Sequence, residues 1–192
     1  MTTLTTLAPH QAKERLHELT VIDVRTPGEY AGGHIPGALN IPLDQLDRAL
    51  PEIRGAAERG EVLVVCASGA RSENACRKLA EQGVHTATLA GGTGAWAAQG
   101  QELDRPVACD VKAVWSMDRQ VRLTAGSLVL LGLALGEVVH PAFRLLSAGV
   151  AGGLVFSAVS NTCGMAALLA KLPHNRPATA DLDATLARLR GL

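Results

Sequence analysis

Cys66 and Arg71 stand with four residues between them in "VVCASGARS", Val64 to Ser72. No other pair in the 192-residue chain is so well placed for chemistry. The cysteine closes an apolar run, and glycine, arginine and serine follow within six residues. A thiol in that place can serve packing, a metal, a redox switch or nucleophilic attack. The chain's four cysteines, Cys66, Cys76, Cys109 and Cys163, include no CxxC pair and have no histidine at ligand spacing. That argues against a metal site and against a disulfide framework. A strand ending at Cys66 and a helix starting near Arg71 or Ser72 force a sharp turn through Ala67, Ser68, Gly69 and Ala70. Gly69 supplies the backbone freedom that such a turn needs. Successive N–H groups in the turn converge into an anion-binding nest at the positive end of the helix. Holding a thiol ionised at neutrality takes about 2.7 kcal/mol more than a free cysteine receives from water. A helix terminus supplies only ~0.3–1 kcal/mol. The rest is expected from the loop amides and the Arg71 guanidinium, with Cys66 and Arg71 acting as a unit. The Ser68 and Ser72 hydroxyls can add hydrogen bonds to a bound anion, and Ser72 can alternatively cap the helix.

Other reactive side chains have structural readings. Arg25 is expected to pair with Glu29, and Asp23 to tie down backbone near the loop. His34 in "GGHIPG" reads as a turn histidine, Trp96 as packing, and Cys76 as a core-facing helix residue. Cys163, beside Asn161 in "SNTCGM", is the second candidate thiol, an acceptor of sulfur or a redox sensor; helix packing by small polar residues is the competing reading.

The elements that must position the loop alternate through the first hundred residues. Leu4 to Leu7, "TVIDVR", "ALNIP", "EVLVVC" and "HTATLAGG" read as strands. "HQAKERLHEL", "DQLDRAL", "EIRGAAERG" and "RSENACRKLAEQG" read as helices, the middle two separated at Pro51. A short helical piece follows around Ala95 to Gln99. This alternation predicts a parallel sheet covered by helices on both faces, an α/β domain over residues 1–104.

The second part of the chain differs in kind. The first 120 residues carry 12 basic and 15 acidic side chains, whereas the last 72 carry 6 and 3. The overall charge is balanced, which gives no sign of a nucleic-acid partner. Residues 105–120 read as a linker with an amphipathic segment around Trp115. Residues 121–172 read as a transmembrane helical hairpin. Leu123 to Val139 holds one charge, Glu137, and the 26 residues Leu145 to Ala170 hold none. As helices these runs are about 26 and 39 Å long, against a hydrocarbon core of about 30 Å. Arg119 and Arg122 precede the first span, and Lys171 and Arg176 follow the second. The turn between the spans holds only Arg144, so both ends are expected on the cytoplasmic side. Gly132 and Gly136, and then Gly149, Gly153, Ser157 and Asn161, recur every four residues, which suits tight packing within the hairpin or between copies of a homodimer. Residues 173–192 read as a cytoplasmic tail with a short polar helix of no evident role. "MTTLTTLAPHQAKERL" has no apolar core of signal-peptide length, so a reducing, cytoplasmic setting is expected for Cys66.

Three segments resemble the rhodanese-type sulfurtransferases. "VIDVRTPGEYAGGHIPGALNIPL" is similar to that family's D-x-R…E-[YF]…G-H-I-x-G-A segment. "CASGARS" is similar to its active loop, C-x-x-G-x-R-[ST], and "LAGGTGAW" to its closing G-G…W motif. The second half is similar to the two-helix anchor of bacterial inner-membrane rhodaneses. The resemblance implies a two-step transfer with no cofactor and no metal. Cys66 would attack the outer sulfur of thiosulfate, expel sulfite and pass the sulfur to cyanide or a thiol. Cys66 and Arg71 are its implied catalytic residues, and the loop from Ala67 to Ser72 its donor site. Ala67 and Ala70 stand where larger or charged side chains often occur, which makes the donor pocket less positive.

Two other readings remain open at this point. A phosphatase or arsenate reductase also places cysteine and arginine around an anion nest, but with five residues between them instead of four. A transport or sensing scaffold would use the hairpin to move a sulfur anion, and Glu137 is the only charge within its two apolar runs.

Overall fold

The computed structural model describes residues 4–105, 117–160, 164–170, 172 and 179–191. The chain divides into two compact units, Met1–Val114 with Arg176–Leu192, and Trp115–Asn175.

In the first unit, among the described residues, five short strands form one parallel sheet. They are β1 (Thr5–Leu7), β2 (Thr20–Asp23), β3 (Leu39–Asn40), β4 (Val62–Val65) and β5 (Ala87–Leu89), in the order β1-β5-β4-β2-β3. Central β4 is buried along its whole length, and its side chains alternate between the two faces. Val62, Val64 and Cys66 enter one core with Ile22, Ile53 and Leu79. Leu63 and Val65 enter the other with Val21, Leu89 and Trp96. Cys66 therefore points to the face covered by α3 (Leu46–Arg59) and α4 (Ala70–Glu81). The remaining helices on the sheet are α1 (Pro9–Glu14), α2 (Pro27–Ala31) and α5 (Gly92–Ala98). These elements are the α/β architecture that the alternation predicts.

Three local expectations are corrected. "DQLDRAL" and "EIRGAAERG" are not separate helices; α3 runs unbroken through Pro51. Pro51 is the sixth residue of that helix, so its missing N–H costs a single hydrogen bond near the start, while the buried stripe Leu46, Ala49, Ile53 and Ala56 holds the helix to the sheet. The α2 turn was not anticipated: Thr26 caps it, accepting from the Glu29 amide, while the Glu29 carboxylate accepts from the Thr26 amide at 3.1 Å. The helix in the tail, α9 (Thr179–Gly191), is a core element of the first unit. Leu182, Leu186 and Leu189 are buried in the same cluster as Ile53 and Cys66. Arg190 pairs with Glu52 at 2.9 Å, Arg48 with Asp183 at 2.6 Å, and the Arg59 guanidinium donates to the Leu189 carbonyl at 2.7 Å.

The second unit contains α6 (Met117–Val138), α7 (Arg144–Ser160) and α8 (Gly164–Ala170). Two segments, Arg119–Val138 and Pro141–Val159, are long and apolar enough to cross a membrane, and their side chains are mostly exposed. Within the second apolar run the described helical residues are α7, Arg144–Ser160, and α8, Gly164–Ala170. The glycines divide between two roles. A Cβ at Gly132 would lie 2.5 Å from Ser147 Oγ, and one at Gly136 would lie 2.6 Å from Arg144 Cγ, so both belong to the crossing of α6 and α7. Gly149 and Gly153 meet nothing within 4 Å. Glu137 pairs with Arg144 across the turn.

Candidate active site

The site lies at the carboxyl edge of the sheet, where an open parallel sheet leaves its binding crevice. β4 ends at Val65, and the chain turns over Cys66 to Gly69 into α4. Gly69 has φ +102°, a conformation that side chains resist, and it stands at the N-cap of α4. The turn aims amides inward. The Gly69 N–H donates to Cys66 Sγ at 3.1 Å, and the Ser72 N–H donates to it at 3.4 Å. Two backbone donors thus converge on one point at the N-terminus of a 12-residue helix, the arrangement of an anion-binding turn.

The loop is braced from behind by a segment to which the sequence reading gave no role beyond its motif. The N–H groups of Thr93 and Gly94, in the first turn of α5, donate to the carbonyls of Cys66 and Ala67 at 2.8 and 3.0 Å. These bonds draw the carbonyls away from the sulfur, leaving the amides to face it. So close an approach requires the absence of a side chain. A Cβ at Gly92, where φ is +60°, would lie 2.2 Å from the Cys66 oxygen, and one at Gly94 would lie 3.0 Å from the Ala67 oxygen. The signal was present in "LAGGTGAW", but a glycine cluster does not name what approaches it.

Arg71 has a different partner from the one expected. Its Nη1 and Nη2 donate to the two oxygens of Glu29 at 2.8 and 2.9 Å, a bidentate pair. Burial by itself would lower the pKa of this guanidinium; the Glu29 hydrogen bonds and charge, with Cys66 adding, outweigh it and leave it raised. Arg25, expected on Glu29, instead grips Asp23, with Nη2 to Oδ2 at 2.6 Å, and donates to the Gly33 carbonyl at 2.8 Å. Glu29 and Arg25 are only four positions apart, but α2 begins at Pro27, so helical i,i+4 proximity never applies to them. Cys66 also acts on the Arg71 guanidinium through its charge. The amides hold the sulfur, and the guanidinium is held by Glu29.

The other candidates separate by exposure. Ser68 is exposed, Ala67 and Ala70 are half-buried, and Cys66 itself is 0% exposed beneath them. The Ser72 hydroxyl neither caps α4 nor faces outward: it is buried, donates to the Gly69 carbonyl at 2.8 Å and meets Thr88 Oγ1 at 2.7 Å. His34 stacks on Tyr30 and bridges to Asp104, a turn role. Trp96 is buried and donates to the Glu102 carbonyl at 2.9 Å. Cys76 is buried, and burial pushes its thiol up to about 11. Cys109, Cys163 and Asn161 lie outside the described residues.

Comparison with known proteins finds two family matches along the chain. Residues 8–99 match the family model of the rhodanese-like domain, and residues 114–177 match that of the YgaP-like inner membrane protein transmembrane domain. An uncharacterized protein of Synechocystis is 40% identical over 175 residues, 89% of this chain and 93% of that one. A sulfurtransferase of Allochromatium vinosum is 38% identical over 90 residues, 46% of this chain and 81% of its own length. The crystal structure of a rhodanese-related protein from Thermoplasma volcanium superposes with a TM-score of 0.48 at 28% identity, covering 52% of this chain and 97% of that one. The chain belongs to the rhodanese-like sulfurtransferase family and carries, after its rhodanese-like domain, a transmembrane domain of the inner-membrane type.

Proposed function

We propose that this chain moves a sulfane sulfur from a small anionic donor such as thiosulfate, through a persulfide on Cys66, to cyanide or a thiol. The observation that carries the reading is the pair of amides, Gly69 and Ser72, converging on Cys66 Sγ. The thiolate attacks the outer sulfur of thiosulfate; the new S–S bond forms as the old one breaks, and sulfite leaves with the electron pair. The terminal sulfur of the persulfide anion then occupies the nest in place of a free thiolate. A thiol or cyanide attacks that sulfur and regenerates Cys66. Only two of the five N–H donors of Arg71 are taken by Glu29, so the guanidinium can still orient the donor's sulfonate. Because the sulfur is covered, the donor reaches it when the Ala67–Ala70 turn moves aside. No metal or cofactor enters these steps.

The domain is held at the inner membrane with both chain ends in the cytoplasm. Positive residues flanking the hairpin support this side. The packing of α9 in the unit formed by the sheet supports an even number of crossings, since the chain returns to the domain it left. The open glycine face of α7 is consistent with a homodimer. The test is thiosulfate:cyanide turnover by the purified full-length protein, expected to be present and to vanish in Cys66→Ala. Equal turnover in that variant would overturn the reading.

A further inference from the structure

Two buried ion pairs stand beside the loop, and the Glu73 carboxylate lies 3.8 Å from where a Cβ at Gly69 would stand, adding negative charge there. Asp23, with its side chain 0% exposed, is held by Arg25, and Glu29, with its side chain 3% exposed, is held by Arg71. Each pair sums to zero, so the attraction felt by an anion at Cys66 comes chiefly from backbone dipoles. Glu29 is not free to leave. Its Oε2 also accepts from the Thr26 amide and hydroxyl at 3.1 and 3.0 Å, inside the cap of α2. The carboxylate is thereby fixed 42 residues from Arg71 in sequence and in bidentate contact with it in space.

We propose that Glu29 is a positioning and specificity residue of the sulfur-transfer site: it holds Arg71 in place and offsets its charge, so that the loop favours singly charged sulfane donors over doubly charged ones. This rests on the sulfurtransferase reading above and names the donor class within it. A fixed buried carboxylate bonded to the Arg71 guanidinium repels each charge on a donor. Thiosulfate carries two such charges, and an alkyl thiosulfonate carries one. Both react alike at Cys66: the thiolate takes the outer sulfur, and the leaving group departs with the electron pair, as sulfite from thiosulfate or as sulfinate from the thiosulfonate. Charge is conserved in each, and neither needs an oxidant or reductant. Ala67 and Ala70 add no cation to reverse this preference.

The test compares kcat/KM for methanethiosulfonate and for thiosulfate in the full-length protein in detergent micelles, with cyanide as acceptor. The wild-type chain is expected to favour methanethiosulfonate. In Glu29→Gln, which keeps an oxygen for the Thr26 cap, the ratio is expected to move toward thiosulfate by about tenfold, through KM more than kcat, equivalent to ~1.4 kcal/mol. Glu29→Asp, which keeps the charge, is expected to retain the wild-type preference. A ratio unchanged in Glu29→Gln, or moved equally in Glu29→Asp, would show that the residue serves only the fold and overturn the proposal. Turnover of neither donor by the wild-type protein would overturn the sulfurtransferase reading itself, a different outcome from a working enzyme that ignores the charge at position 29.

Discussion

The carbonyl oxygen of Cys66 lies 2.2 Å from where a Cβ at Gly92 would stand. The nucleophile's backbone is thus seated directly on the first turn of α5, and neither element can shift without the other. Gly92→Ala brings a left-handed backbone penalty together with a clash against a carbonyl that has nowhere to turn. We expect a stability loss of about 3 kcal/mol and at least tenfold slower sulfur transfer. Gly100→Ala is the matched control: its φ is +72°, but nothing lies within 4 Å. It should cost only ~1 kcal/mol of strain and keep its turnover. Thermal melts and thiosulfate:cyanide assays on both variants check the contrast.

The C-terminal helix should matter to the catalytic domain even though the membrane hairpin separates them in sequence. Leu186 is 4% and Leu189 0% exposed, each packed in the core that also holds Cys66. Leu186→Ala and Leu189→Ala are each expected to destabilise the first unit by roughly 2–4 kcal/mol. Hydrogen exchange on α3 is the sensitive readout, since Arg48, Glu52 and Arg59 of that helix bond to α9. Unchanged protection of α3 would contradict the packing.

The Cys76 thiol gives the domain an alkaline limit. Burial raises its pKa from an ordinary 9.0 to about 11. Between those values the unfolded chain releases a proton that the folded one keeps, so stability is complete below pH 9 and falls as pH rises toward 11. The loss amounts to about 3 kcal/mol at most. Chemical denaturation at stepped pH should show this decline in the parent protein and a shallower one in Cys76→Ala. At neutral pH Cys76 should also resist alkylation.

Much of this was legible in the residues. The apolar run before Cys66, the glycine after it and the helix pattern beyond fix a strand–turn–helix whose amides meet the sulfur, because those relations are local. The pairings were not legible. Glu29 had two arginines to choose from, and only the tertiary fold brings Arg71 to it across 42 residues. The stripe of Leu182, Leu186 and Leu189 has helical spacing, but it is narrow and set among charges, and its partner surface on α3 lies more than a hundred positions earlier. The uncharged run to Ala170 spoke of a membrane.

The central claim is that Cys66 carries the transferred sulfur, and mass spectrometry of the loop peptide tests it most directly. After exposure of the full-length protein to thiosulfate without acceptor, the peptide spanning Cys66 should gain the mass of one sulfur atom, and the addition should disappear on treatment with cyanide. A peptide that stays unmodified, or an added sulfur that persists in Cys66→Ser at another cysteine, would contradict the account.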